Sequence, residues 1–408
     1  MDTTGKQLIE ILREELFSQE RGKAVSGLSS DALFGVLSLA KKHDLAHIVA
    51  GAAIRAGVFS GEILSRMEKE YQTALFRHAR FNRETARIFA ALEEAEIDFM
   101  PLKGVITREL YPESWMRMST DIDVMVREED VARAKAVLSE KLGYTETASY
   151  VYEVTFATPL QIEVELHFAF SAQDTYKFVD GKLTERMWEN ALLCEGTRHR
   201  YELTPEFFYA LHMVHGARHL TGAGVGIRFV IDTLIIRNQL KMDDARRAAF
   251  IEEFQLKKFE EETLALCGYW FLGKDASALT EQYSDYAIES GVHGKIENFI
   301  ATRRKKYKNR FTFILGRMFL SYKELCNFYP VLRKHKILYP VCVIRRWFDL
   351  LRRSGEDVVR FQINNFYDAS EGEEDRIDRF LQDLDLKVPE KSDKKKAEKK
   401  GKKNRKKE

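Results

Sequence analysis

The sequence predicts an α+β protein: a small mixed sheet flanked by N-terminal and C-terminal helical bundles, followed by a charged tail. Three observations predict it. Residues 1–96 space their apolar side chains at three and four, the period of an amphipathic helix. At Ile97 the pattern changes to short apolar runs of the kind strands use. After Lys182 it is mostly helical again. With 408 residues, 45% of them hydrophobic, the chain is long enough for two or three domains and a sizeable core. The expected divisions are 1–96 (helical), 97–203 (α/β core), 204–368 (helical) and 369–408 (charged and disordered).

The elements follow in order. "LIEILREELF", "SSDALFGVLSLAKKHDLAHIVAGAAIRAG" and "GEILSRMEKEYQTALFRHARFNRETARIFAALEEAE" read as helices, with Ser30 and Ser60 as N-caps. "IDFMPLKG" is a strand, and "GVITRELY" is a helix that stops at Pro112. "TDIDVMVR" is a second strand, and "EEDVARAKAVLSEKLGY" an amphipathic helix ending at Gly143. "SYVYEVTFATPLQIEVELHFAF" reads as two strands turning at Pro159, and "RHRYEL" as a further strand element. Pro205 suits the first position of a helix, and "FFYALHMVHGARHL", "GIRFVIDTLIIRNQ" and "FIEEFQLKKFEEETLALCGYWFL" continue a bundle. No internal repeat is evident. From Ala369 the sequence is too polar to bury a core, and from Lys387 it has the composition of a disordered arm.

Composition excludes several classes. The four cysteines are far apart and form no CxxC pair, which argues against zinc knuckles and a disulfide framework and for reduced, cytoplasmic thiols. The N-terminus has no signal-type apolar core, and no apolar run reaches membrane-span length. The net charge of +2 hides strong blocks. Residues 301–353 hold 15 Lys/Arg against 2 Asp/Glu, residues 354–386 hold 3 against 10, and residues 387–408 hold 12 against 4. The first block mixes cations with aromatics and suits nucleic-acid backbone, anionic lipid, or packing on the acidic body. The Lys-rich tail suits loose, salt-sensitive polyanion binding.

Asp121 and Asp123 flank one isoleucine, so a strand projects both from one face. Like charges held that close are unfavourable unless a cation joins them. Hard oxygen ligands at this spacing suit Mg²⁺ or Mn²⁺. The later strand "IEVELHF" offers Glu163 and Glu165 on one face with His167, while Ile162, Val164, Leu166 and Phe168 form an apolar opposite face. Carboxylates on two strands are what metal-assisted phosphoryl transfer needs. Lys103-Gly104 lies at a strand-to-helix turn, where backbone amides can hold phosphate.

Together, "LKG", "YP", Arg117-Met-Ser-Thr-Asp121-Ile-Asp123, Glu165-Leu166-His167, "ALHMVHGARHL" and Arg228-Phe-Val-Ile-Asp232 resemble the signature of the uncharacterised nucleotidyltransferase family, a branch of the polymerase-beta-type superfamily. The resemblance spans roughly residues 30–350. Two departures stand out: Lys103-Gly104-Val105 replaces the usual Gly-Gly or Gly-Ser, and Glu165 stands where Asp is commoner. The resemblance implies a cytoplasmic enzyme that moves NMP from an NTP to a hydroxyl and releases pyrophosphate. Asp121, Asp123 and Glu165 would hold the metals and carry catalysis. Lys103, Gly104, Arg117, Arg228 and His212 would bind nucleotide. The acceptor is open among a sugar phosphate, a small metabolite, RNA and protein. Two rivals stand beside this reading: a catalytically silent nucleotide- or metal-binding regulator, and an RNA-associated protein that works through its basic block.

Other motifs have plainer readings. His212, His215 and His219 share one helix face, but no Cys or acid completes a tetrahedral zinc set. Arg228 and Asp232, four apart, would form a helix-surface ion pair. "TGAGVG" follows a helix rather than a strand, so it reads as a loop between helices and not a dinucleotide turn.

Overall fold

The computed structural model describes residues 1–170, 183–222, 224–292, 319–320, 322–329, 331–353 and 371–386. The expected disordered arm from Lys387 lies outside the described residues. The chain opens with helices α1 (Thr3–Phe17), α2 (Lys23–Ser26), α3 (Ser30–Lys42), α4 (Ala46–Ala56) and α5 (Gly61–Glu94). The α3 cap is Ser29 rather than Ser30: its hydroxyl accepts from the Ala32 amide. Ser60 caps α5.

The sheet follows: β1 (Phe99–Pro101), α6 (Gly104–Thr107), β2 (Asp121–Val126), α7 (Val131–Ala136), β3 (Thr145–Ser149), β4 (Glu153–Ala157) and β5 (Glu163–His167). The five strands lie in the order β1-β2-β5-β4-β3. Only β2 and β5 run parallel; the other neighbours are antiparallel. The sheet is therefore mixed, as the sequence predicts. Its Ile122, Val124, Val126, Val154, Phe156, Val164 and Leu166 face packs on Phe81, Ile88 and Leu92 of α5 and on Ala134 of α7. The opposite face carries the acids and looks toward later helices.

Those are α8 (Leu183–Glu189), the small hairpin β6 (Ala191–Leu193) and β7 (Tyr201–Leu203), then α9 (Pro205–Gly222), α10 (Ile227–Gln239), α11 (Asp244–Glu253), α12 (Lys257–Phe271) and α13 (Ala278–Ser290). The helices before and after the sheet share one core: Leu8, Ile11 and Leu12 lie in the same buried cluster as Phe207, Met213, Ile231 and Leu266. Past it come α14 (Tyr322–Phe328), α15 (Val331–Lys334), α16 (Tyr339–Arg353) and α17 (Glu371–Asp383).

Three segments differ from the sequence reading. "GVITRELY" makes one α turn and then a 3-10 turn over Arg108–Leu110. Tyr111 is already extended (φ −73°, ψ 157°), as a residue before proline must be. An extra edge strand, β3, precedes the expected pair. Its "TETAS" is mostly exposed and lacks the apolar alternation that would signal it. The segment 371–386 is not a structureless tail. Ile377, Phe380, Leu381, Leu384 and Leu386 bury against the main core, with the Phe380 ring 5.0 Å from Tyr286. Their helical spacing is carried by a segment whose remaining positions are mostly charged, so bulk composition hides it.

Candidate active site

The acids meet because β2 and β5 are parallel neighbours. Their register sets Asp121 beside Glu163, Asp123 beside Glu165, and Met125 beside His167. Adjacent strands lie about 4.8 Å apart, so these carboxylates are held as close neighbours. His167 Nε2 lies 2.9 Å from Asp123 Oδ1 and 3.2 Å from Glu165 Oε2. Its Nδ1 lies 3.3 Å from Glu153 Oε2 on β4. One ligand atom from each of Asp123, Glu165 and His167 lies within 4.8 Å of the other two, a group that could hold a metal ion. Asp121 projects from the same face of β2, nearer its start, and is half-buried. Glu163 is exposed at the start of β5.

A cation already touches this group. Lys103 Nζ lies 2.6 Å from Asp123 Oδ1 and 4.0 Å from Glu165 Oε2. Lys103 has φ 46° and ψ −121°, a left-handed conformation that costs a non-glycine residue about 1–3 kcal/mol. This turn carries the chain from β1 into α6 and leaves the ammonium against β2.

The electrostatics follow from that geometry. Burial alone would push Asp123 up, but the Lys103 ammonium and His167 hold it well below the usual carboxylate range. Burial alone would push Lys103 down, but Asp123 and Glu165 raise it above the usual amine range. Burial also opposes charge on His167. Hydrogen bonds to Asp123 and Glu165 overcome this and raise it to about 9, so the ring is cationic at neutral pH. Asp121 goes the other way: burial, then the Asp123 charge, push it upward, and the Lys103 ammonium offsets this only in part.

Around this centre lies a cleft of about 420 Å³ between the sheet and helices α9 and α10. Lys103, Gly104, Arg117, Asp121, Asp123, Glu165 and His167 line one wall, and His212, His215, Arg228 and Asp232 another. All the residues that the sequence singled out for the site therefore border one cavity.

Their contacts within it differ. At Gly104, a Cβ would lie 2.4 Å from Ser119 Oγ and 2.8 Å from Arg117 Nη1, so only glycine lets the 117–119 loop approach. Arg117 holds that loop by donating to Met118 O at 3.0 Å and Ser119 Oγ at 2.7 Å. It also grips Asp232 with Nη2 at 3.0 Å and Nε at 3.4 Å. Asp232 accepts a third bond, 2.6 Å, from the buried Tyr111 hydroxyl. Burial would raise Asp232, but Arg117 holds it below the usual range. The expected Arg228–Asp232 helix pair is thus replaced: Arg228 donates to Asp44 Oδ2 at 3.3 Å and to Met118 O at 3.4 Å.

His212 stacks on Phe229 at 4.7 Å, and its Nε2 lies 2.8 Å from Thr233 Oγ1. Burial lowers it to about 4, so it is neutral. His215 and His219 rings lie 4.3 Å apart. Among the described residues, these histidines form no metal-holding group. Gly226 ends the loop between α9 and α10. A Cβ there would meet Gly291 O at 2.4 Å and His43 Nδ1 at 2.7 Å, which makes it a packing glycine.

Sequence reasoning had the signal for His167, which alternates in register with Glu165, but did not give it a role in the centre. Glu153 carried no readable signal, and Tyr111 stood only in the quoted "YP" motif, without a role. Their contacts depend on the β4–β5 register and on packing between α10 and the 108–117 segment.

Residues 35–272 match the model of a family described as an uncharacterised nucleotidyltransferase. Among solved structures, one of the antibiotic-resistance factor ANT(2'')-Ia is similar at 15% identity with a TM-score of 0.30, covering 43% of this chain and 94% of that one. No curated protein matches.

Proposed function

We infer, because this chain belongs to the uncharacterised nucleotidyltransferase family, that it moves a nucleoside monophosphate from an NTP to a hydroxyl acceptor. The acceptor oxygen would bond to the α-phosphorus as the bond to the departing pyrophosphate breaks. The supporting observation is the parallel register that pairs Asp123 with Glu165 on the wall of a cleft large enough for a nucleotide.

Asp121, Asp123 and Glu165 would hold Mg²⁺ or Mn²⁺, and the His167 ring would have to give up its proton before its nitrogen could join them. The fit is supported by the Lys103 ammonium, a cation that already pairs with Asp123 and lies 4.0 Å from Glu165. Such ions, when bound, would neutralise charge on the phosphates. Glu165 would accept the proton of the acceptor hydroxyl. Lys103 and the Gly104 amide would hold the triphosphate, which requires Lys103 to leave Asp123. Arg117 would fix the loop that enters β2, and Arg228 and His212 would shape the nucleotide wall. A cytoplasmic setting suits an NTP-consuming enzyme.

The test is incubation with each radiolabelled NTP and cell lysate. Label transferred to one acceptor, with pyrophosphate released, supports the reading. Absence of transfer from any NTP, with either metal, counts against it.

One observation favours a second reading. The Lys103–Asp123 ion pair satisfies the acidic centre without a metal. A silent nucleotide-binding regulator would keep such a pair. Calorimetry separates the two: tight NTP binding without turnover supports the regulator.

A further inference from the structure

Helix α16 has two faces of opposite fate. Cys342 and Val343 bury against Leu325, Cys326 and Leu332 in a small cluster of their own. On the other side Val341, Ile344 and Phe348 are 60%, 52% and 66% exposed, and Ile337, in the turn before the helix, is 87% exposed. The spacing 337, 341, 344, 348 follows helical period, so these side chains form one stripe rather than scattered exceptions. An isolated exposed apolar residue needs no explanation, but a contiguous stripe marks an interaction surface.

The charge that the segment carries in sequence says what kind. Residues 319–353 hold eight Lys/Arg against two Asp/Glu. A nucleic-acid surface would use the cations, and Phe348 could stack on a base, but it would gain nothing from exposed Ile337, Val341 and Ile344. A second protein would use the stripe without needing a strong positive excess. An anionic bilayer surface uses both: the apolar stripe enters the headgroup boundary while Lys and Arg meet the lipid phosphates. No helix among the described residues is long and apolar enough to cross a membrane, so the association would be a lying-on one.

We propose that α16 and the turn before it dock this protein on anionic membrane surfaces, with Ile337, Val341, Ile344 and Phe348 as the inserting stripe. The stripe is separate from the cleft, so the proposal stands or falls independently of the transfer reaction.

The experiment is co-sedimentation of the full chain with vesicles of phosphatidylglycerol and phosphatidylcholine, against phosphatidylcholine alone. Binding to the anionic vesicles is expected, weakening as salt rises. An I344D/F348D double variant should partition roughly tenfold less or worse, with its far-UV dichroism unchanged. Equal partitioning of the variant, or no binding by the unmodified chain, overturns the proposal. A polyuridylate arm that binds tightly and loses binding to the same variant also overturns it in favour of RNA. Should the variant misfold, hydrogen exchange on the unmodified chain decides: added protection over 337–348 with anionic vesicles supports the proposal, and none refutes it.

Discussion

Lys103 Nζ lies 2.6 Å from Asp123 Oδ1, so the strand acid that would hold a metal is satisfied by the chain's own ammonium. The contact accounts for two features at once. It explains why a buried strand tolerates neighbouring carboxylates, and why Lys103 is kept in a costly backbone conformation. It also sets up a competition, because a divalent cation and Lys103 cannot both sit against the same oxygen.

Replacing Lys103 by Met should therefore tighten Mn²⁺ binding in the absence of nucleotide by about tenfold or more, since an opposing unit charge near 4 Å is worth several kcal/mol at a partly buried site. The same variant should bind NTP more weakly. Paramagnetic titration of Mn²⁺ reads the first effect and calorimetry the second. Unchanged Mn²⁺ affinity would mean that Lys103 does not compete for the site.

Stability should peak near neutrality in metal-free protein, because two kinds of histidine act in opposite directions. His167 is raised to about 9, so its contribution is complete below its ordinary value of about 6.5 and is lost as pH rises toward 9. His43 and His212 are lowered to about 4, so their contribution is present above about 6.5 and is lost as pH falls toward 4. Denaturant melts from pH 4 to 9 with chelator present should show a dome. The alkaline limb, about 3 kcal/mol at most, should flatten in His167→Gln. An alkaline limb unchanged in that variant contradicts the assignment.

Arg117→Met should destabilise the fold by about 3–5 kcal/mol, because it strands the buried Asp232 carboxylate. Adding Asp232→Asn should recover part of that loss, giving a coupling energy of about 1–3 kcal/mol in a double-mutant cycle. Additive effects would show that the pair seen across the cleft is not energetically linked.

Gly104→Ala should cost about 1–3 kcal/mol through overpacking against Ser119 and Arg117. Ser119→Ala in the same chain should relieve part of it, since the closest atom is the Ser119 hydroxyl. Thermal melts of the two single variants and the double check this.

Much of the site was legible because it rests on strand alternation. Asp121 and Asp123 on one face, and Glu165 with His167 on another strand, follow from a period of two. What alternation cannot supply is which strand lies beside which. The parallel β2–β5 pairing, and with it the Asp123–Glu165 neighbourhood, is a tertiary result. The Lys103 ammonium was unreadable for a related reason: its place depends on one left-handed residue. Asp232 misled because its in-helix neighbour Arg228 was the obvious partner, whereas packing brought Arg117 and Tyr111 to it. The 371–386 helix was hidden by charge, although its apolar spacing was present throughout.

The most direct test compares the unmodified chain with Asp121→Asn/Asp123→Asn for metal-dependent pyrophosphate release from NTPs, in the presence of the acceptor found by label transfer. The account predicts release by the unmodified chain and none by the double variant, with both showing the same far-UV dichroism. Equal release by a folded double variant would contradict it.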